Sequence, residues 1–443
     1  MSNETQARRG PLSGVMAIEF PAIGPVPFCG MVLADMGADV VRIDRTEPSG
    51  LGISMQPRYN LLNRGKRSIG LDLKHPDGAA VARRLAARAH ILLEGFRPGV
   101  MERLGFGPDA CLAANPSLIY GRISGWGERG PLAGAAGHDI NYLGLSGALA
   151  AMGEPGTPPP VPLNLIGDFG GGAMFLACGV LAALMAARAS GVGQVVRTSI
   201  AEATLALMPI FYGMRAAGLW SDERAENMLD GGAPFYRTYA TSDGGFVAVG
   251  AIEPKFYAAL LDGLGLAGTL PVRAQRDRAL WPTTIALFAA RFREKTREEW
   301  CRIFAGTDAC VTPVLGMDEA AEHAQHVALG SFVAIDDVSQ PAPAPRFSLT
   351  SSLVDPDPKS SPPRRRGSTR PLDARLRGHD GNESARPGLG IPSSQAVRGA
   401  PAPGADTAEI LRGLGYAADA IARLLRDRAA AAATADQERA MPA

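Results

Sequence analysis

Two residues that can move protons, His138 and Asp168, lie at the ends of the stretch 136–172. His138 opens the run HDINYLGLSGAL, and Asp168 precedes three glycines in NLIGDFGGG. Both positions are typical of a junction between a loop and a helix, where scaffolds commonly hold functional side chains. A base and an acid at two such junctions predict proton transfer on opposite faces of one small substrate.

Each residue also has a purely structural explanation. His138 can simply begin a helix over 138–149, and Asp168 can be no more than an N-cap. A third acidic residue, Glu253, precedes Pro254 and is typical of a helix start. Taken alone, the local sequence favours the structural role for His138 and Glu253 and does not decide for Asp168.

The composition describes an ordinary globular protein. The chain has 443 residues, of which 46% are hydrophobic and 20% charged, with a net charge of +1. This balance argues against nucleic acid or an acidic membrane surface as a partner. The N-terminus lacks the apolar core of a signal peptide, and we expect the apolar run 169–187 to be a buried helix. The five cysteines are scattered and predict a reduced, cytoplasmic protein without structural zinc: Cys29, Cys111, Cys178, Cys301 and Cys310.

The first 200 residues alternate between strand-like and helical patterns. This alternation predicts an α/β fold with a parallel sheet covered by helices on both faces. The expected strands are 15–20, 39–44, 90–94, 118–124 and 193–200, and the expected helices are 29–38, 78–89, 108–115 and one from Phe169.

The pattern changes after residue 200. A helix is expected over 201–219, followed by a polar loop and a hairpin over 235–252 that turns at Asp243-Gly244-Gly245. Three helices follow, at 254–264, 281–293 and 297–304, the last with the capping-box residues Thr296 and Glu299. These elements predict a smaller α+β domain.

Residues 355–398 are rich in Arg, Pro, Gly, Ser and Asp, with few large apolar residues. Such a segment buries too little surface to offset its ordering entropy, so we expect a disordered insert. Its arginines could bind nucleic acid, but interleaved aspartates and the lack of aromatic residues favour a solvated insert.

Several motifs, in order, resemble the family III CoA-transferase superfamily and, within it, the racemases of 2-methylacyl-CoA thioesters. They are GPLSG, GADVVRIDR, EGFRPGVMERLG, YGRISGWG, AGHDINY, NLIGDFGGG, NMLDGGAPFY and VAVGAIEPKFY. The resemblance runs from Gly10 to about Ser351. It implies a Rossmann-like large domain and a smaller α+β domain in an interlocked homodimer, with each active site between the large domain of one chain and the small domain of the other.

On this resemblance the chain divides into six parts. They are a large CoA-binding domain (1–200), a linker helix (201–225), a small α+β domain (226–324), a return linker (325–354), the disordered insert (355–398) and a C-terminal helical segment of the large domain (399–443).

The resemblance assigns His138 and Asp168 as bases on opposite faces of an acyl-CoA substrate, with no metal and no organic cofactor. Glu253 would interact with the Asp168 side from the partner chain and raise its pKa. A CoA-transferase, with Asp168 forming an acyl anhydride, is the alternative, and it has no need of His138. A non-catalytic acyl-CoA-binding protein is a third reading, against which the three intact residues argue.

The same resemblance assigns a set of contacts to CoA, among which arginines suit the phosphates. These residues are Arg45, Leu71, Asp72, Leu73, Lys74, Gly95, Phe96, Arg97, Arg103, Gly137, Asp139, Ile140, Asn141 and Tyr142. For Arg64, Lys66 and Arg67, a solvated basic loop and a phosphate contact are about equally favoured. Gly170, Gly171 and Gly172 would let the backbone at a helix N-terminus approach the enolate.

Overall fold

The computed structural model describes residues 10–47, 50, 52–348 and 398–434. The predicted insert, apart from Arg398, therefore lies outside the described residues. The described strands are β1 (Met16–Glu19), β2 (Asp39–Asp44), β3 (Arg67–Leu71), β4 (Ile91–Glu94), β5 (Ile119–Ser124), β6 (Gln194–Ser199), β7 (Tyr236–Ala240), β8 (Phe246–Gly250), β9 (Val311–Pro313), β10 (Phe332–Ile335), β11 (Val338–Pro341) and β12 (Ala430–Ala431).

The helices cover both faces of the main sheet and one smaller sheet. They are α1 (Pro25–Asp35), α2 (Pro76–Arg88), α3 (Val100–Arg103), α4 (Pro108–Ala114), α5 (Asp139–Ser146), α6 (Met174–Ser190), α7 (Ile200–Ala206), α8 (Pro209–Ala216), α9 (Pro254–Gly263), α10 (Trp281–Phe292), α11 (Arg297–Phe304), α12 (Met317–Glu322), α13 (Ala324–Leu329), α14 (Thr407–Gly413) and α15 (Ala418–Arg426). A π-helical segment, Leu165–Ala173, leads directly into α6.

The main sheet has seven strands in the order β12-β3-β2-β1-β4-β5-β6. Six strands are parallel, and β12 runs antiparallel to β3 at the edge. The direction of winding reverses between β1 and β4, and folds of this kind bind ligands in the crevice at that point. The predicted Rossmann-like α/β fold is confirmed.

Alternate residues of each strand point to different helices, as a doubly covered sheet requires. Ala17 and Leu93 belong to the core that includes α1 and α6. Ile18 and Leu92 belong to the core on the opposite face, which includes α2, α14 and α15. The C-terminal segment thus supplies part of the same core as the first strands.

A second, smaller sheet is formed by β7, β8 and β9, all antiparallel. The predicted hairpin at Asp243 is confirmed, and β9 adds a third strand that the sequence did not predict. Aromatic residues from the sheet and from α10 and α11 make its own core, with Tyr239 stacked on Phe292 at 5.0 Å between ring centroids. The predicted capping box of α11 is also present, since Glu299 Oε2 accepts from the Thr296 N–H at 2.8 Å.

Arg64 and Lys66 lie inside the protein rather than on a solvated basic loop. Lys66 is 0% exposed, and its Nζ donates to Glu19 Oε2 at 2.6 Å and to the Pro27 carbonyl at 2.9 Å. Arg64 is also buried and pairs with Asp35, with Nη2 and Oδ2 2.6 Å apart. Both alternatives considered for Arg64 and Lys66 are therefore wrong, because their charges are satisfied inside the protein.

Arg67 opens β3, a strand that the sequence did not predict. Its guanidinium pairs with Asp39 of β2 and lies 3.7 Å from the Glu409 carboxylate of α14. This cation therefore ties the first strands of the sheet to the C-terminal helices.

The single helix expected over 201–219 is two helices, α7 and α8. The break falls before Pro209, which has no N–H to continue the hydrogen-bond ladder of α7.

A helix over Leu165–Ser190, comprising the π-helical segment and α6, is long and apolar enough to cross a membrane by length and composition alone. In the structure α6 packs against β5 and β6 of the main sheet.

Candidate active site

His138 lies at the N-cap of α5, where the sequence places a helix start. Its backbone N–H donates to Asn141 Oδ1 at 3.0 Å, and the Tyr142 hydroxyl donates to the Gly137 carbonyl at 2.5 Å. These bonds fix the main chain around the imidazole. The side chain of His138 is exposed to solvent. It is therefore accessible to a ligand.

Asp168 does not cap a helix, contrary to the prediction. It is the fourth residue of the π-helical segment Leu165–Ala173, whose N-cap is Asn164. The three glycines after Asp168 therefore lie inside the helix rather than at its start. A Cβ at Gly172 would come within 2.9 Å of Ile123 Cδ1 in β5, so this residue type lets the widened turn pack against the sheet. π-Helical segments are rare and are frequently found at functional sites.

Asp168 is 8% exposed, and two hydrogen bonds hold its side chain and its main chain in place. Its Oδ2 accepts from Asn164 Nδ2 at 2.8 Å, and its backbone N–H donates to Asp139 Oδ1 at 2.7 Å. Burial raises the pKa of Asp168; the charge of Asp139 adds to this rise, while the Asn164 hydrogen bond and the charge of His138 oppose it. Asp168 thus keeps a proton more readily than an ordinary aspartate.

The second carboxylate beside Asp168 within one chain is therefore Asp139. The family resemblance assigns this effect to Glu253 of a partner chain; within one chain Glu253 lies at the N-cap of α9, exposed, beside the smaller sheet. The helix-start interpretation of Glu253 is confirmed. Among the described residues of a single chain, Glu253 forms no hydrogen bond with His138 or Asp168, so the structure brings only two of the three predicted catalytic residues together.

Gly24 was not singled out from the sequence, although it lies in a recognisable Gly-Pro turn. It forms the N-cap of α1 with a φ of +71°, a conformation that favours glycine. A Cβ at this position would lie 3.1 Å from Asp168 Oδ2. The start of α1 and the Asp168 carboxyl therefore face each other at the crevice next to β1.

The residues assigned to CoA follow the carboxyl ends of neighbouring strands. Arg45 is exposed directly after β2, the segment 71–74 ends β3, and the segment 95–97 follows β4. Carboxyl ends of parallel strands meet at one edge of a sheet, so these loops share the edge that borders the switch between β1 and β4. Arg103 closes α3, in the connection after β4.

The loop after β4 is also close to the His138 helix. Burial raises the pKa of Tyr142, and the nearby charge of Arg97 acts in the opposite direction. Tyr142 packs edge-on against Trp126 with ring centroids 4.7 Å apart. Of the remaining assigned residues, Ile140 and Asn141 are exposed on α5, whereas the side chain of Asp139 is buried.

A polar cavity of 380 Å³ lies beside this edge, at the ends of β5 and β6. Phe96 and Trp126 form part of its lining. Arg122, which also lines the cavity, donates to Glu94 Oε1 at 2.7 Å and lies 2.9 Å from Glu128 Oε1. Sequence reasoning missed this network, although an arginine inside the apolar strand pattern of YGRIS was a visible signal.

Comparison with known proteins identifies racemases among the relatives of this chain. The chain is 49% identical to α-methylacyl-CoA racemase of Mus musculus over 344 residues, covering 77% of this chain and 88% of the relative. It is 49% identical to the α-methylacyl-CoA racemase of Homo sapiens over 347 residues, with the same coverage.

A solved structure of a CAIB/BAIF family protein from Brucella suis has the same fold. It superposes with a TM-score of 0.65 at 25% identity and covers 81% of this chain and 97% of that one. The sequence profile of CoA-transferase family III matches residues 12–368. With this match over most of its length, and with the sheet order and motifs described above, the chain belongs to CoA-transferase family III.

Proposed function

We propose that this protein is a racemase that interconverts (2R)- and (2S)-2-methylacyl-CoA thioesters. The observation that carries the proposal is the pairing of an exposed imidazole with a buried carboxyl of raised pKa at one crevice. The 49% identity to two α-methylacyl-CoA racemases supports it. A thioester acidifies the proton on the neighbouring carbon because the resulting carbanion delocalises into an enolate.

The two residues work as a pair. In one direction the neutral imidazole of His138 removes the α-proton from one face, and Asp168, in its acid form, returns a proton to the other face. In the reverse direction the ionised Asp168 removes a proton and protonated His138 donates one. Burial of Asp168 favours its acid form, which suits its role as the proton donor in the first direction. The chemistry is complete without a metal or an organic cofactor.

Binding of the substrate is assigned to the shared edge of the sheet. Arg45, Lys74, Arg97 and Arg103 offer positive charge to the phosphates of CoA. The N-terminal end of α5 carries the partial positive charge of a helix start and would stabilise the enolate oxygen.

The alternative is a CoA-transferase, in which Asp168 would attack the thioester and form an anhydride. Membership of CoA-transferase family III keeps this alternative open. Incubating the protein in D2O with one enantiomer of a 2-methylacyl-CoA decides between them. We expect deuterium at the α-carbon and formation of both enantiomers. Exchange of CoA onto a free carboxylic acid without α-deuteration would establish the transferase instead.

We further propose that the protein is a cytoplasmic homodimer, without nucleic acid or membrane as partner, in which Glu253 reaches the Asp168 side from the second chain. Apolar side chains exposed in one chain support a second copy. Leu145 is 65%, Ile210 59% and Leu219 62% exposed, near or on the elements that carry the site. Large apolar side chains exposed near a site offer a surface that a second protein chain can cover.

Mixed dimers test whether Glu253 acts in the partner's site. A Glu253→Ala chain and a His138→Ala/Asp168→Ala chain should each be inactive as homodimers. Co-expressed with different affinity tags, they should form mixed dimers containing one intact site, and racemisation should return to about half the activity of a wild-type dimer. No recovery in purified mixed dimers would contradict a shared site and place Glu253 in its own chain's site.

A further inference from the structure

Asp139 connects the two proposed catalytic groups. It is the first residue of α5 and directly follows His138. Its side chain is 3% exposed and points away from solvent toward the π-helical segment. There Oδ1 accepts from the backbone N–H of Asp168 at 2.7 Å, and the backbone N–H of Gly167 also bonds to this carboxylate. The Asp139 side chain thus links the main chain next to His138 to the main chain of Asp168.

The other side of this contact is equally specific. A Cβ at Gly167 would lie 2.4 Å from Asp139 Oδ1 and 3.5 Å from the Asp139 carbonyl. Any residue larger than glycine would therefore displace the carboxylate from the two N–H groups. The contact depends on an aspartate at one end and a glycine at the other.

Stability alone is a poor reason for this arrangement. The second oxygen of Asp139, Oδ2, is buried and has no hydrogen-bond partner among the described residues. An unpartnered buried carboxylate oxygen is costly. The charge of Asp139 also lies close enough to Asp168 to disfavour its ionised form. A residue selected only to hold the fold would not combine these two costs.

We propose that Asp139 is a positioning residue that sets the spacing between the His138 imidazole and the Asp168 carboxyl. The inference rests on the proposed racemase function. Proton transfer on two faces of one carbon requires both groups at their correct distance at once, and a displacement of about 1 Å can cost about 100-fold in rate. Asp139 meets this requirement because it directly follows His138 in the chain and its carboxylate accepts a hydrogen bond from the backbone N–H of Asp168.

Three variants and one control separate positioning from other roles. In Asp139→Asn an amide oxygen still accepts the two N–H bonds, so kcat should stay within about fivefold of wild type. In Asp139→Ala the bonds are lost, and kcat for racemisation should fall by about 100-fold with KM nearly unchanged. Gly167→Ala should reproduce this loss from the opposite side. Asp109→Asn, in the first turn of α4, removes one charge from a different helix start and should leave both constants unchanged.

Hydrogen exchange provides a readout that does not depend on turnover. The backbone amide hydrogens of residues 164–173 should exchange with solvent faster in Asp139→Ala and Gly167→Ala than in wild type and Asp139→Asn. The proposal is overturned if kcat per folded Asp139→Ala molecule equals wild type, or if Asp139→Asn is as impaired as Asp139→Ala. If the wild-type protein shows no exchange of the substrate α-proton, the racemase proposal fails by itself. The positioning role would then be overturned separately by unaltered amide hydrogen exchange of the peptide 164–173 in Asp139→Ala.

Discussion

Replacing His138 by alanine is expected to abolish racemisation in both directions while α-proton exchange survives from one enantiomer only. Racemisation needs a group on each face, so loss of either stops it. Exchange with solvent needs only the base that faces the proton, and Asp168 remains available for one enantiomer. For the other enantiomer, exchange should fall by about 10²–10⁴-fold, the usual contribution of a positioned base.

The measurement follows α-deuterium incorporation from each pure enantiomer in D2O by mass spectrometry. Asp168→Asn should show the opposite preference, keeping exchange from the enantiomer whose proton faces His138. His326→Ala, in α13, changes the same residue type in another part of the chain and should behave as wild type. Equal loss of exchange from both enantiomers in His138→Ala would contradict the assignment of one residue to each face.

Replacing Lys66 by methionine is expected to lower the free energy of unfolding by about 3–5 kcal/mol. The change leaves the Glu19 carboxylate buried at the end of β1 without its counter-ion. The surroundings leave it no room to move, because a Cβ at Gly30 would lie 1.9 Å from Glu19 Oε2. Breaking one half of a buried ion pair is far more damaging than replacing both halves by apolar residues.

Urea denaturation of the Lys66→Met variant measures this loss. The double variant Glu19→Leu/Lys66→Met removes both charges and should recover most of the stability. Lys255→Met, at an exposed position of α9, should change the unfolding free energy by less than about 0.5 kcal/mol. If the double variant were as unstable as Lys66→Met, the loss would come from packing rather than from an unpaired charge.

The succession of elements along the first 200 residues was largely predictable because β1, β2, β4, β5 and β6 are short apolar runs separated by helical patterns. The third strand was not predicted. Its sequence RSIGL places Ser68 and Gly70 in the sheet, and it directly follows the buried Lys66. No local pattern distinguishes such a strand from a basic loop, because its burial depends on Glu19 and Asp39 from earlier strands.

The proposed catalytic positions were recognisable from the family motifs, whereas their surroundings were not. His138 and Glu253 are helix-start residues as their neighbours in the sequence indicate. The environment of Asp168 depends on the π-helical segment and on a hydrogen bond to Asp139, which lies 29 residues earlier. A single sequence carries no signal for a pairing at that separation, so Asp139 was not recognised as a neighbouring carboxylate.

The short strand β12 has a consequence for synthesis of the chain. It covers the edge of β3 but lies about 360 residues later in the sequence. At about 5–20 residues per second, the ribosome needs roughly 20–70 s between the two strands. Throughout that time β3 presents unpaired N–H and C=O groups that another nascent chain can join. Chains that end before Ala430 would lack the two residues that pair with Gly70 and Leu71, so we expect C-terminal truncation to increase aggregation.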